Sequence, residues 1–196
     1  METRRNRQRE ATRRRLVRAA IQVFSELGFG GASTREVARR ARASQSLLTY
    51  HFPSKELLWQ AAADDLFGRL RVEFDRAREM GSDIPPRARE REMARQLVRF
   101  SARNPEFFRF LLEVGRSQNE RMEWLVDTHL TPIYREFTAS RDEPPELLAH
   151  VFYAIAGASS TLFSVAAECE RLTGLDPTTE EAIETHAELI ARLFER

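Results

Sequence analysis

The sequence predicts an all-α protein, and three observations carry this prediction. Apolar residues recur three and four positions apart along nearly the whole chain, which is the spacing of one helix face. Most glycines and prolines fall between these periodic segments, where helices end. No alternating strand pattern is longer than chance would produce, and no internal repeat is visible. The chain of 196 residues is long enough for one or two small domains with their own cores.

The first predicted helix covers residues 10–27, with apolar residues on one face and arginines on the other. Gly28 ends it, because glycine adopts the left-handed conformation of a helix cap without strain. Ser33 and Glu36 have the spacing of a capping box, which starts a short second helix. Seven apolar residues are expected to form the small core of this region: Ala20, Ile21, Phe24, Val37, Ala38, Leu48 and Phe52.

A third short helix is predicted over residues 45–50. Arg42 and Ala43 leave room for only a tight turn before it, Ser44 has the residue type of a helix N-cap, and Pro53 ends it. Two short helices joined by a tight turn and packed on a preceding helix form a helix-turn-helix, here residues 33–52.

The remaining helices are longer and more apolar. Ser54 caps a long helix over about 55–80, and Pro132 should kink a later one. Five further helices are predicted: 87–103, 106–116, 119–139, 146–172 and 178–194. The expected fold is therefore a three-helix N-terminal head followed by a helical C-terminal domain, about nine helices in all.

Charge divides the chain in the same way. Residues 1–55 hold 12 arginines and Lys55, the only lysine, against four glutamates, a net charge of +9. Residues 56–196 hold 18 arginines against 26 acids, a net charge of −8. Only the basic part suits a polyanion such as nucleic acid. We expect a DNA-binding domain at 10–55 and a second domain at 56–196.

The composition also indicates a compartment. The single cysteine, Cys169, cannot form an internal disulfide, which fits a reducing cytosol. The basic N-terminal residues are not followed by an apolar stretch, and no apolar run reaches the ~20 residues of a membrane span. We therefore expect a cytoplasmic protein with no membrane contact. No metal site is expected, because His129, His150 and His186 share no ligand spacing, and no cofactor is predicted.

Residues 12–58 resemble the TetR family of bacterial transcription regulators. The matching elements lie at fixed spacing along this stretch: Ala20 through Phe24, Gly28-Phe29, Ser33-Thr34, Val37-Ala38, Ala41, Ser44, Leu48, His51-Phe52 and Lys55 through Leu57. Beyond residue 58 the resemblance is one of layout. It implies a homodimer that binds a palindromic DNA site through the head and a small effector through the C-terminal helices.

Within the head, individual residues suit different DNA contacts. Gln45 suits a base edge, adenine most naturally, and Leu47 suits a thymine methyl group. Ser46 and Thr49 lie on or near the same exposed face, and Arg35 suits a guanine or a phosphate. Phosphate contacts are expected from Thr34, Tyr50, His51 and Lys55, of which the tyrosine, histidine and lysine positions make them in the family. Ser44 completes the predicted DNA-binding set.

Other roles stay open for several of these residues. Tyr50 and His51 alternatively pack between helices, and Gln45 and Ser46 alternatively only start a helix. The arginines of residues 4–9 form either an arm on DNA or a solvated tail.

Three positions depart from the family pattern. Arg42 and Ser46 stand at frequent glycines, and Thr49 replaces the first of two aromatic residues. Arginine in place of glycine costs roughly 1 kcal/mol where φ is positive; alternatively, the turn differs slightly and the side chain gains a phosphate. An operator sequence therefore cannot be transferred from a relative.

The C-terminal domain is expected to dimerise and to bind the effector. Residues 146–172 are apolar or small on nearly all sides, and such a helix must be buried on all sides, which suggests a partner chain. With the final helix it is expected to form the dimer interface through Val151, Ile155, Leu162, Ile183, Ala187, Ile190 and Leu193. The expected effector pocket contains Phe107, Phe108, Leu111, Trp124, His129 and Phe152, although most aromatic residues simply fill a core.

The leading hypothesis is a homodimeric transcriptional repressor that a small, largely apolar effector releases from its operator by moving the helix of 55–80. Two hypotheses compete with it. One is a helical ligand-binding protein with a vestigial head. The other is a helical-bundle enzyme, which no nucleophile with a base, phosphate loop or metal-ligand set supports.

Overall fold

The computed structural model describes residues 4–80, 85–139 and 141–192, and these residues form helices joined by short connections. Eleven α-helices and one π-helical segment occur within them. Their bounds are α1 Arg4–Gly31, α2 Thr34–Arg40, α3 Gln45–His51, α4 Lys55–Met80, α5 Pro86–Arg103, α6 Pro105–Gly115, α7 Glu120–Leu125, the π-helical segment Val126–Leu130, α8 Thr131–Thr138, α9 Pro145–Ser164, α10 Ala166–Thr173 and α11 Glu180–Arg192.

These helices form two compact units. The first contains the described residues up to Gly68 together with Arg109–Ser117, and the second contains Arg69–Phe108 with the described residues from Gln118 onward. The first unit thus extends past residue 55, where the charge pattern places the domain boundary. The reason is apolar burial, because Trp59 in α4 is buried and stacks on Phe110 at a centroid distance of 5.5 Å.

The core of the first unit follows the predicted pattern. All seven apolar residues expected there are buried. Gly28 adopts φ 65° and interrupts α1, which the sequence predicts to end at this position, and α1 resumes for one further turn to Gly31. A Cβ at Gly28 would collide with the carboxylate of Glu113. Leu27, expected on the buried face, is 47% exposed.

The helix predicted over 119–139 is divided by a π-helical segment. At its end the amide of Thr131 donates to the carbonyl of Val126, five residues back. Pro132 explains why the helix turn widens to five residues before it. Proline lacks an N–H, and in a regular α-helix its ring collides with the carbonyl four residues earlier.

The helix predicted over 146–172 is also divided, at Val165, which has φ −119° and ψ 34°. Two hydroxyls compete for the backbone just before this break. Thr161 Oγ1 donates to the carbonyl of Gly157 at 2.7 Å, and Ser164 Oγ lies 3.0 Å from the carbonyl of Ser160. Such bonds to the residue four positions back bend helices.

Helix α9, with 20 residues, is long and apolar enough to cross a membrane by length and composition alone. One such helix does not contradict the expectation of a protein without a membrane span. Core helices of soluble proteins have the same character. Within the second unit α9 buries Phe163, and its Ser160 hydroxyl lies 3.0 Å from that of Ser101 in α5.

The second unit has a core formed by α5, α9 and α11. Ala94 and Val98 of α5 pack with Phe163, Ala187 and Ile190. Ala187 and Ile190 are 0% and 3% exposed within one chain, so they are not available as the surface of a dimer interface.

Helical spacing thus correctly places Ala187 and Ile190 on one face of α11. This face packs against α5 and α9 of the same chain, however, and not against a second chain. Ile183 and Leu162 pack partly against the same cluster. Val151 and Ile155 are half-buried, and Leu193 lies outside the described residues.

The turn between α2 and α3 requires a left-handed residue, and Arg42 fills that position with φ 49°. The amide of Ala43 then donates to the carbonyl of Ala38 at 2.9 Å, which closes the turn. Arg42 therefore carries the backbone strain that the sequence predicts for a residue other than glycine at positive φ, because its Cβ is crowded in this conformation.

Arg42→Gly should stabilise the protein by about 1 kcal/mol, because glycine removes the Cβ strain at positive φ. Arg42→Ala is the matched control, since it removes the guanidinium and keeps the Cβ. Urea unfolding followed by circular dichroism measures both. Equal stability of the two variants would show that the turn is not strained.

Candidate nucleic-acid interface

Hydroxyl caps hold the two helices of the helix-turn-helix. Ser33 Oγ accepts from the amide of Glu36 at 3.1 Å, and Ser44 Oγ accepts from the amide of Leu47 at 3.2 Å. Each bond satisfies one of the amides that a helix start leaves without an intrahelical partner. Ser44, a predicted DNA-binding residue, therefore has a structural role in starting α3.

Helix α3 presents almost all of its side chains to solvent. Leu48 is its one buried residue, and His51 is half-buried. The exposed residues are Gln45, Ser46, Leu47, Thr49 and Tyr50. Leu47 is 36% exposed and Tyr50 67% exposed, so both are accessible to a binding partner.

The start of α2 lies beside the start of α3. Gln45 Nε2 donates to Thr34 Oγ1 at 3.0 Å, so two predicted DNA-binding residues are in direct contact. This bond orients the Gln45 amide and leaves its carbonyl oxygen and second N–H for another partner. Arg35, next to Thr34, is exposed. Ser46 Oγ lies 3.0 Å from Ser44 Oγ.

Two arginines of α2 form ion pairs with glutamates of the same unit. Arg40 pairs with Glu26 of α1 at 2.7 Å and with Glu36 at 2.8 Å, and Arg39 pairs with Glu36 at 2.6 Å. Hydrogen bonds from Arg39 and Arg40 lower the pKa of Glu36 to about 2. Arg39 and Arg40 are therefore engaged within the head, whereas Arg35 of the same helix is exposed.

Two cations beside the C-terminal end of α3 come from α1. The guanidinium of Arg9 lies 5.8 Å from the ring centroid of Tyr50, and that of Arg13 lies 5.3 Å from the ring of Phe52. Between these rings, His51 contacts Tyr50 edge to face at 5.3 Å. Arg9 and Arg13 were not singled out with α3 by sequence reasoning, although their spacing of four residues indicates a shared helix face.

His51 has a lowered pKa. Desolvation by burial is the largest cause, and the positive charges of Arg9 and Arg13 add to it, while Glu10 acts in the opposite direction. The imidazole is therefore more readily neutral in the free protein than an exposed histidine is. A phosphate beside it would favour the protonated form.

Lys55 lies at the start of α4. Its ammonium lies 4.4 Å from the ring centroid of Phe29, and the Ser54 hydroxyl caps the helix through the amide of Leu57 at 3.1 Å. The half-buried lysine thus has an aromatic contact that sequence reasoning did not anticipate. The contact restricts the ammonium to the start of α4, where free amides also attract anions.

The predicted effector residues are distributed over both units. Leu111 belongs to the first unit, and Phe107, Phe108, Trp124, His129 and Phe152 belong to the second. Within the second unit, Trp124 and His129 contact edge to face at 5.3 Å. Phe107 is buried and contacts Phe100 at 5.2 Å, which is a core position.

A half-buried aromatic cluster surrounds Phe152 of α9. Tyr134 and Phe137 of α8 lie 5.2 and 5.4 Å from its ring, and Arg141 lies over Phe137 at 4.3 Å. Phe152 is thus a predicted pocket residue that lies within an aromatic cluster of the second unit.

Comparisons with known proteins agree with this architecture. Residues 16–62 match the family of bacterial regulatory proteins described as the tetR family. The repressor NicS of Pseudomonas putida is 28% identical over 122 residues, which cover 58% of this chain and 57% of NicS. The regulator RutR of Escherichia coli is 31% identical over 111 residues, which cover 56% of this chain and 51% of RutR.

The chain spans about half the length of these curated relatives. A solved structure of a transcriptional regulator from Rhodococcus sp. has a TM-score of 0.68 at 18% identity and covers 93% of this chain and 95% of its own, which shows the fold. Residues 16–62 are therefore similar to the tetR family of bacterial regulatory proteins, and the chain shares the helical fold of the Rhodococcus regulator.

Proposed function

We propose that the protein is a sequence-specific DNA-binding transcriptional regulator, a homodimeric repressor that a small, largely apolar effector releases from a palindromic operator. The observation that carries this proposal is the exposed polar row of α3, capped by Ser44 and bordered by cations from α1 and α4. A helix that exposes five of seven residues beside positive charge suits the major groove of DNA.

Base recognition is assigned to the first turns of α3. The amide of Gln45 is oriented by Thr34 and suits the N6 and N7 positions of adenine. Leu47 offers an exposed methyl surface to thymine. Ser46 and Thr49 add hydroxyls that accept or donate, so they contribute less discrimination between bases.

Phosphate contacts are assigned to the borders of this row. Arg35 and Thr34 lie at the start of α2, Tyr50 and His51 at the C-terminal end of α3, and Lys55 at the start of α4. Contacts of this kind fix the orientation of the protein on DNA without reading its sequence. A vestigial head is disfavoured, because the capped helices, the exposed polar row and the cations are all present together.

The dimer is supported by apolar surface on α9. Leu147, Ala154 and Thr161 are exposed and, at spacings of seven residues, lie on one face of α9. Tyr153 is 72% exposed beside this face. A second copy of the chain would cover this face. We infer that α9 contributes more to the interface than α11, whose Ala187 and Ile190 are already buried in one chain.

The effector is assigned to the second unit, near the aromatic cluster around Phe152. Its half-buried rings offer apolar contacts, and Arg141, which is paired with Glu90 at 2.9 Å, lies beside Phe137. Trp124 and His129 supply a second aromatic pair in the same unit.

The proposed regulator acts in the cytoplasm, and it is associated with the nucleoid when it is bound to its operator.

The first test compares Gln45→Ala with Lys55→Ala on DNA duplexes selected by the wild-type protein from a random pool. Gln45→Ala should relax the preference at one base pair by about 1–3 kcal/mol. Lys55→Ala should weaken all sequences equally and reduce the slope of log affinity against log salt by about 1. Fluorescence anisotropy at several salt concentrations measures both effects.

A wild-type protein that selects no sequence at low salt would sink the proposal. If Lys55→Ala changed which sequence is preferred, the phosphate role of this lysine would be wrong.

The second test uses pH. Phosphate favours protonated His51, so DNA binding should take up a proton, and affinity should rise as pH falls below about 6.5 toward the lowered pKa of the free protein. The same depressed pKa means that the free fold loses stability as pH falls through this range, so circular dichroism must confirm folding.

His51→Gln is the control, since it keeps a polar side chain and cannot titrate. It should flatten this pH dependence. The same pH profile in the variant and in the wild type would contradict the assignment of His51 to phosphate.

A further inference from the structure

We propose that the N-terminal turns of α1 form a second DNA-contacting element, in which Arg9 and Arg13 hold the phosphate backbone beside Tyr50 and His51. This inference rests on the proposed DNA-binding function and adds to it a defined helix face. The sequence leaves two alternatives for the N-terminal arginines, an arm on DNA or a solvated tail, and the geometry of α1 supports the first.

Arg9 and Arg13 continue the buried face of α1 beyond the end of its core. Leu16 and Ala20 are fully buried on this face, and Arg13 and Arg9 precede Leu16 by three and seven residues. Residues at such spacings lie on one side of a helix. The two guanidiniums therefore lie on the side of α1 that faces α3, rather than on its solvent side.

The contacts of the two arginines confirm this placement. Arg9 lies over Tyr50, and Arg13 lies over Phe52, at 5.8 and 5.3 Å from the ring centroids. An exposed cation–π contact contributes only about 0.5–1 kcal/mol. These ring contacts therefore add little to the stability of the fold, whereas a phosphate beside His51 would attract both guanidiniums strongly.

The charge around this position is strongly positive. Residues 4–18 contain eight arginines and one acid, Glu10, a net charge of +7. The positive charges of both arginines contribute to the lowered pKa of His51, so both act on its imidazole ring. By contrast, Arg39 and Arg40 of α2 are paired with glutamates.

The segment is also ordered before any DNA arrives. Residues 4–18 are helical and residues 4–10 are exposed. A preformed helix does not lose backbone entropy on binding, so more of its electrostatic attraction appears as affinity. The element proposed is therefore a rigid extension of α1 and not a flexible tail.

The opposite face of α1 provides a matched control. Arg14 and Arg18 are also four residues apart and exposed, and they follow Arg13 by one and five residues, which turns them away from the Arg9–Arg13 side. Arg9→Gln/Arg13→Gln and Arg14→Gln/Arg18→Gln remove the same charge from the same helix. Only the first pair should matter for a face-specific contact.

The experiment measures anisotropy of the selected duplex against salt for both double variants. Arg9→Gln/Arg13→Gln should lower affinity at least tenfold at 0.15 M salt and reduce the salt slope by about 2, with sequence preference unchanged. Arg14→Gln/Arg18→Gln should change affinity less than threefold. Arg9→Lys/Arg13→Lys should restore most of the slope, because it restores the charge.

The proposal would be overturned if the two double variants had equal effects, or if Arg9→Gln/Arg13→Gln had none. The regulator function would still stand in that case, as long as the wild-type protein binds selectively. Failure of the wild type to select any sequence would instead reject the regulator function. If Arg9→Gln/Arg13→Gln does not fold by circular dichroism, Arg9→Gln alone replaces it, since this side chain is exposed. Its expected slope change is about 1, and an unchanged slope would again overturn the proposal.

Discussion

The surface proposed to bind DNA depends on the packing of a helix too short to be stable alone. Helix α3 has seven residues, and isolated helices of this length do not persist in water. Its position is set by the buried side chains of Leu48 and Phe52 and by the hydroxyl cap of Ser44. Because so little of α3 is buried, the rest of its surface is available for recognition.

The same packing also separates two kinds of arginine. Arg39 and Arg40 of α2 pair with carboxylates, and Arg40 ties α2 to α1 through Glu26, so these two stabilise the arrangement of the helices. Those at the start of α1 lie beside the aromatic rings at the end of α3. A charge count treats both groups as equal, whereas only the second is placed to meet a phosphate.

Local patterns predicted much of this architecture. The serine caps, the positive φ at Gly28 and the core of the first unit follow from single residues and their spacing, which act over one helical turn. Arg42 is similar, because its strain depends only on the tight turn. These features are local, so the sequence alone is sufficient to predict them.

Features that depend on distant contacts were not predictable in this way. Periodicity places Ala187 and Ile190 on one face but cannot tell whether α5 or a second chain covers it. The contact of Lys55 with Phe29 and that of Arg9 with Tyr50 join residues far apart in sequence. The break at Val165 depends on several hydroxyls acting together on one helix.

Hydroxyl-radical footprinting of the wild-type protein on the DNA beside its own gene maps backbone contacts without assuming a sequence. A dimer that places α3 of each chain in the major groove should protect two backbone patches, related by a palindrome and separated by one helical turn of about 10 base pairs or a multiple of it, and the protection should disappear as salt is raised. Uniform cleavage at low salt, with the protein folded, would contradict this placement.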